Sequence, residues 1–285
     1  MNTLAYLCPM RLYHAVFRMY VGGSIHVAAV LLALLYYTER LSGATVQPEY
    51  YGALFFGSIA GYNCLKYGAE PWKYRPKKGS RIRLLFALSL VCLLVGLYFL
   101  FLLDIPYWWM SAACAVLAAL YSLPLFPGFR NLRSFGLLKV PLVALVWVAA
   151  TVWIPVWGSG STLGWDLWVE SVQRFLWVGL LMLPFEIRDM DSDPPAIRTL
   201  PRRLGMAGTR RLGWIGAFLL LVTVALKDLP TGAEWVSKGL AAVLTGLAIQ
   251  FSSRDQPPYY ASFWVEGIPM VCLAAFVAWD QLAGP

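Results

Sequence analysis

The sequence predicts an all-α integral membrane protein with nine spans, and three observations point there. Hydrophobic residues make up 59% of the chain and charged ones only 13%, with a mean hydropathy of +0.62, a balance that a soluble domain does not keep in water. The apolar residues fall in runs long enough to cross a bilayer, which takes roughly 20 residues per helix. The basic residues are also shared unevenly between the segments joining those runs, as in polytopic proteins.

In order, the runs cover residues 20–37, 50–67, 84–103, 108–126, 137–157, 167–187, 212–226, 236–251 and 262–279. They are continuously apolar, whereas barrel strands alternate over about ten residues, so helices are expected. Aromatic pairs sit near their ends, as at Tyr36-Tyr37, Tyr50-Tyr51, Trp108-Trp109 and Tyr259-Tyr260, where amphipathic rings meet headgroups. The first run lacks an Ala-x-Ala site and is followed by eight more, so it reads as a span rather than a cleavable leader. Residues 1–285 read as a single transmembrane domain, with polar loops at about 66–83 and 188–211.

Placing Lys and Arg on alternate sides puts 19 of 23 on the side of both polar loops, leaving Arg40, Arg174, Lys227 and Lys238 opposite. Positive residues stay inside. That predicts a cytoplasmic N-terminus, an external C-terminus and a place in the cell (inner) membrane. Topology thereby explains the net charge of +8, and no nucleic-acid partner is expected. Basic loops are expected to attract anionic membrane lipid. The five cysteines are scattered, with no Cys-x-x-Cys, and those in spans act as small apolar residues. Between the two loops a pattern recurs: Glu70-Pro71-x-x-x-Arg75 matches Asp193-Pro194-x-x-x-Arg198, with Lys66 opposite Asp189 and Asn63 opposite Glu186. It hints at an internal repeat.

Chemistry concentrates where the sixth run ends, in Phe185-Glu186-Ile187-Arg188-Asp189-Met190-Asp191-Ser192-Asp193. Asp189 and Asp193 are four apart, so a helix puts both on one face, where they repel unless a cation neutralises them. Mg²⁺ bridges carboxylates to phosphates, and Arg198, Arg202 and Arg203 follow, residues suited to phosphate oxygens. Carboxylates, a metal and arginines beside an apolar bundle describe a site for a lipid diphosphate. The plainer alternative is a solvated loop whose acids pair with neighbouring arginines.

The stretch Glu186 to Asp193, with Ile197-Arg198-Thr199-Leu200-Pro201 and Leu204-Gly205 after it, resembles the second aspartate motif of the UbiA superfamily of intramembrane prenyltransferases. Tyr121-Ser122-x-Pro124 resembles that family's Tyr-Ser/Thr-x-Pro element. Nine spans with polar loops after the second and sixth match its architecture, so the resemblance covers nearly the whole chain. It implies a bundle around a central lipid-facing cavity with a cytoplasmic cap. It also implies transfer of a prenyl group from an isoprenoid diphosphate to an apolar acceptor such as a quinone precursor, a tetrapyrrole or a lipid. By the same resemblance Asp189 and Asp193 are the Mg²⁺ ligands, Arg198 is the basic position of the motif, and Tyr121 joins the substrate-binding residues.

The first aspartate motif departs from the family. Its pattern, Asn-Asp-x-x-Asp-x-x-x-Asp followed by Asn-Arg-Pro, meets Asn63-Cys64-Leu65-Lys66-Tyr67-Gly68-Ala69-Glu70-Pro71 and then Tyr74-Arg75-Pro76. Asn63, Arg75 and Pro76 are kept. Cys64, Tyr67 and Pro71 replace the three aspartates, and Glu70 is one position away. One metal rather than two is therefore expected. Lys66 enters at the end of a span, where an ionisable group carries a functional hypothesis: its ammonium contacts the diphosphate, Asn63 orients it, and Arg75, Arg198 and Lys139 bind it. Asp189, Asp193 and Lys66 form the expected catalytic set. The alternatives are a Lys66–Glu70 helix pair or a lysine reaching the headgroups, and simple anchoring for Lys139.

Other polar residues are less specific. His26 reads as packed or hydrogen-bonded. Glu266 faces the cavity, pairs with Arg254 or lies in the interface, and Asp191 is an extra acid without a role. Loss of the first-motif aspartates motivates a rival reading, a non-catalytic relative that binds a quinone, an isoprenoid lipid or a membrane partner. A transporter is disfavoured because the spans show few buried charges.

Overall fold

The computed structural model describes residues 14–68, 80–122, 136–193 and 198–283, and among them there are helices and no strand. The helices are α1 (Ile25–Ser42), α2 (Pro48–Asn63), α3 (Ser80–Phe101), α4 (Ile105–Ser122), α5 (Gly136–Val148), α6 (Trp165–Arg188), α7 (Leu200–Val222), α8 (Gly232–Phe251) and α9 (Ile268–Ala283). Three of them adjoin π-helical turns. Cys64–Gly68 extends α2, Ala149–Trp153 carries α5 on into Ile154–Gly158, and Tyr260–Val265 leads into α9. Such wide turns cluster at functional sites.

Each apolar run overlaps one of these helices. Five segments are long and apolar enough to cross a membrane: Ile25–Ser42, Arg83–Phe101, Gly136–Gly158, Leu200–Leu226 and Tyr260–Leu282. The remaining helices differ from these for visible reasons. The α-helical part of α2 stops after 16 residues, and the described apolar part of α4 is Ile105–Ala119. Helix α6 carries Asp166, Glu170, Arg174, Glu186 and Arg188, and α8 carries Glu234 and Lys238.

Two expectations need correction. The first run is not one helix: residues 14–22 are helical, the chain breaks at Gly23-Ser24, and Ser24 takes a left-handed backbone (φ 64°) before α1 begins. The second polar loop is shorter than expected, because helix resumes at Leu200. Gly205 (φ 68°, ψ 176°) bends α7 near its start, in a conformation that only glycine adopts without strain. Of the first polar loop, residues 69–79 lie outside the described residues.

The core is built around α1, half of whose span is buried, against 17% for the peripheral α3. Val27, Val30, Leu31 and Leu34 of α1 meet Trp147 of α5, Trp177 and Leu181 of α6, Leu220 of α7, Ala241 of α8 and Cys272 of α9. Helix neighbours follow chain order, with α9 returning to α1. The α2–α3 contact is close: a Cβ on Gly96 would lie 2.9 Å from the Gly57 nitrogen. Helix directions alternate, so the ends of the bundle are distinct. The Asn63 end collects the start of α1, the end of α2, the start of α5, the end of α6 and the start of α9. At the other end, Arg40 and Asp280 pair across the ends of α1 and α9. There Tyr50 of α2 also donates to the Ala150 carbonyl at 2.7 Å.

Candidate functional site

Helices α2, α3, α4 and α5 line an open apolar cavity of about 710 Å³. Its lining runs from Tyr50 and Ile154 at one end to Asn63, Cys64 and Leu65 at the other, passing Gly57, Gly61, Leu93, Ala115, Val143 and Trp147. It is of the size that holds small-molecule ligands.

Polar groups gather where the cavity reaches Asn63. The Asn63 side chain is buried, and its Oδ1 accepts a hydrogen bond from Ser24 Oγ at 2.8 Å. Lys66 Nζ donates to the same Ser24 Oγ at 3.0 Å. Asn63 Nδ2 has no partner among the described residues, and a buried donor left unpaired is costly. Lys66, Glu266 and Arg188 lie within electrostatic reach of one another. Of the alternatives left open for Lys66, the Glu70 pair falls outside the described residues. His26 is packed and bonded, Nδ1 to Tyr20 OH and Nε2 to the Phe263 carbonyl, each at 3.0 Å. Arg254 pairs with Asp191 at 3.1 Å rather than with Glu266.

The two aspartates share one turn just beyond α6, where the polar loop was expected to begin. Helix α6 stops at Arg188, and Asp189 is its capping residue. One further turn survives, closed by Asp193 N to Asp189 O at 2.9 Å. Arg188 grips the Asp189 carboxylate through Nε and Nη2, at 2.8 and 3.2 Å. Arg202 reaches back from α7 and donates to the Met190 carbonyl at 2.9 Å and to that of Asp193 at 2.6 Å, which pins the turn. Arg198 is exposed beside it.

Lys139 forms an ion pair with the buried Glu186, a partner the sequence reading did not assign. Asp189 and Asp193 act on the same Glu186 charge. The structure therefore brings Asn63, Lys66, Lys139, Asp189 and Asp193 to one end of the bundle. Arg75 lies outside the described residues, and so does the side chain of Tyr121, whose backbone is in the last turn of α4.

Among the described residues no group of three or more His, Cys, Asp or Glu side chains is placed to hold a metal. Asp189 and Asp193 are donors of the kind Mg²⁺ takes, one or two carboxylates completed by water and substrate phosphates.

A second charged cluster sits at the opposite end. Glu170 is fully buried on α6 and accepts from Lys238 Nζ at 2.9 Å, Lys227 Nζ at 3.1 Å and Arg174 at 2.9 Å. Arg174 also donates to the Leu34 carbonyl at 3.1 Å, Thr151 Oγ1 at 2.9 Å and Thr38 Oγ1 at 3.3 Å. Lys227 pairs with Glu234 as well. Lys238 lies 5.1 Å from the centre of the Tyr37 ring, a cation–π contact. One expectation is overturned here: the spans and their junctions do bury charges, Arg174, Lys227 and Lys238 among them. None of these five residues lines the apolar cavity. A usable signal was present in Thr231-x-x-Glu234, which caps α8 reciprocally and fixes Glu234 beside Lys227.

Comparison with models of known families, with curated proteins and with solved structures finds no match.

Proposed function

We propose that the chain is a nine-span, prenyltransferase-like membrane protein that takes an isoprenoid diphosphate and passes its prenyl group to an apolar acceptor. The observation that carries this reading is the junction at Asn63. An apolar cavity ends there on the buried Asn63 amide, whose nitrogen has no partner among the described residues, with Lys66, Arg188 and two aspartates at the same end of the bundle. That is the complement of a ligand with an apolar tail and an anionic head. The basic Asn63 end faces the cytoplasm by the positive-inside rule, with an internal N-terminus, and the two polar loops cap it.

In this reading Asn63 orients the diphosphate, while Lys66, Arg75, Arg198 and Lys139 supply positive charge. Mg²⁺ on Asp189 and Asp193 would neutralise charge on the departing diphosphate. The prenyl C–O bond breaks with its electron pair leaving on diphosphate, the acceptor forms the new bond to the prenyl carbon, and the acceptor gives up a proton. Fixed cations stabilise the leaving charge, and the apolar walls exclude water.

Two ion pairs favour a second reading, a lipid-binding protein without turnover. Arg188 already holds Asp189, and Glu186 already neutralises Lys139. The deciding experiment purifies the chain in mild detergent, identifies co-purified lipid by mass spectrometry, and adds labelled prenyl diphosphates with and without Mg²⁺. Diphosphate release with a labelled product supports the transferase. A retained lipid without turnover supports the binding protein.

A further inference from the structure

The cavity runs along α2 from Asn63 to Tyr50, thirteen residues and about 20 Å of helix. An extended chain advances roughly 1.2 Å per backbone bond, and an isoprene unit adds four such bonds. A tail whose head rests at Asn63 therefore reaches the Tyr50–Ile154 floor after about four units. Two glycines on α2, one helical turn apart, line this path. Gly61 lies just below Asn63, and Gly57 lies about 9 Å below it, at the depth of the second unit. A Cβ added at either position meets nothing within 4 Å, so the space before them is open, and both glycines line the cavity. Gly96, across the α2–α3 contact, is the opposite case, because a Cβ there strikes the α2 backbone.

We propose that Gly57 and Gly61 set the length of prenyl chain this protein accepts, with a tail of about four isoprene units as the natural fit. The inference rests on the diphosphate reading for the position of the head, not for the existence of the channel. Glycine at Gly57 is then required for depth, whereas glycine at Gly96 is required for helix packing.

The test uses the full chain in detergent, with prenyl diphosphates and prenyl alcohols of two, three and four units competing against a short labelled tracer of each head group. In the unaltered protein affinity should rise up to four units. Gly57→Leu should leave the two-unit ligand within about twofold and weaken the four-unit ligand by about tenfold or more. Gly61→Leu should weaken every length. Gly57→Ala, whose methyl enters open space, serves as the fold control alongside thermal unfolding. If folded Gly57→Leu binds diphosphates with the same length dependence as the unaltered protein, the gauge is wrong and the diphosphate reading survives. If alcohols show the step at Gly57 and diphosphates do not bind, the gauge stands and the diphosphate reading falls. Binding of neither series overturns both.

Discussion

At the Glu170 end, three cations and two carboxylates close on one another, and hydroxyls, a main-chain carbonyl and aromatic faces take up much of what remains. At the Asn63 end, charges of both signs lie near one another, yet Asn63 Nδ2 has no partner among the described residues and a cavity opens beside it. Both clusters sit where helices α1, α5 and α6 converge, and both rest on contacts between distant parts of the chain. The difference lies in the surroundings. Each end keeps a buried donor without a partner among the described residues, Arg174 Nε at one and Asn63 Nδ2 at the other, but only the second borders the apolar cavity. The first cluster closes on its own charges, and the second is the one we propose for recognition.

That contrast can be broken most forcefully at Glu170. Glu170→Gln leaves Arg174, Lys227 and Lys238 buried with one carboxylate among them. Stranding buried charge costs about 3–5 kcal/mol, so thermal unfolding in detergent should move to markedly lower temperature. An unchanged transition would mean that the cluster is not what ties α1, α6 and α8 together.

At the other end the aspartates come next. Asp189→Asn and Asp193→Asn should each remove the Mg²⁺ dependence of prenyl diphosphate binding while leaving the unfolding transition close to that of the parent, since both residues lie on a partly exposed turn. Retained metal dependence in both variants would take them out of the metal site.

Lys66→Ala tests recognition directly. A charge-assisted hydrogen bond contributes about 1.5–3 kcal/mol, so diphosphate affinity should fall roughly 10- to 100-fold. Lys66→Arg should recover part of it, and prenyl alcohol affinity should stay nearly constant. Equal losses for both ligands would instead indicate a damaged cavity.

The smallest effect is expected at Thr151, whose hydroxyl accepts from Arg174 and donates to the Trp147 carbonyl. Thr151→Val removes one acceptor from a cluster that keeps several, a change of about 0.5–1.5 kcal/mol in stability with ligand affinity untouched. A loss as large as that of Glu170→Gln would show that the hydroxyl, rather than the carboxylate, organises the cluster.

What could be read along the chain was local. Helix positions follow from runs of apolar residues, because burying or dissolving a helix in lipid depends on what lies within some twenty neighbours. The acidic turn after α6 was legible for the same reason, as its members are adjacent. Helix α6 ends at Arg188, next to the expected loop start, but the turn that follows is held by Arg202 from the next helix, which local reading did not show. The polar loop was drawn too long because Arg202, Arg203, Arg210 and Arg211 look like loop residues by charge alone. Leu200–Leu226 nevertheless forms a helical stretch long and apolar enough to span.

Sequence by itself therefore determined the helical class, the positions of the apolar helices and the types of charge available near the end of α6. Only tertiary structure decided which charges meet. Lys66 bonds to Ser24, 42 residues away. Glu170 gathers Lys227 and Lys238 from 57 and 68 residues away. Glu186 turns from an unassigned acid into the partner of Lys139. The physical reason is that a side chain's partner inside a membrane bundle is set by which helix faces pack together. That choice is made by the summed burial of many residues, whereas periodicity and spacing report only on one helix at a time.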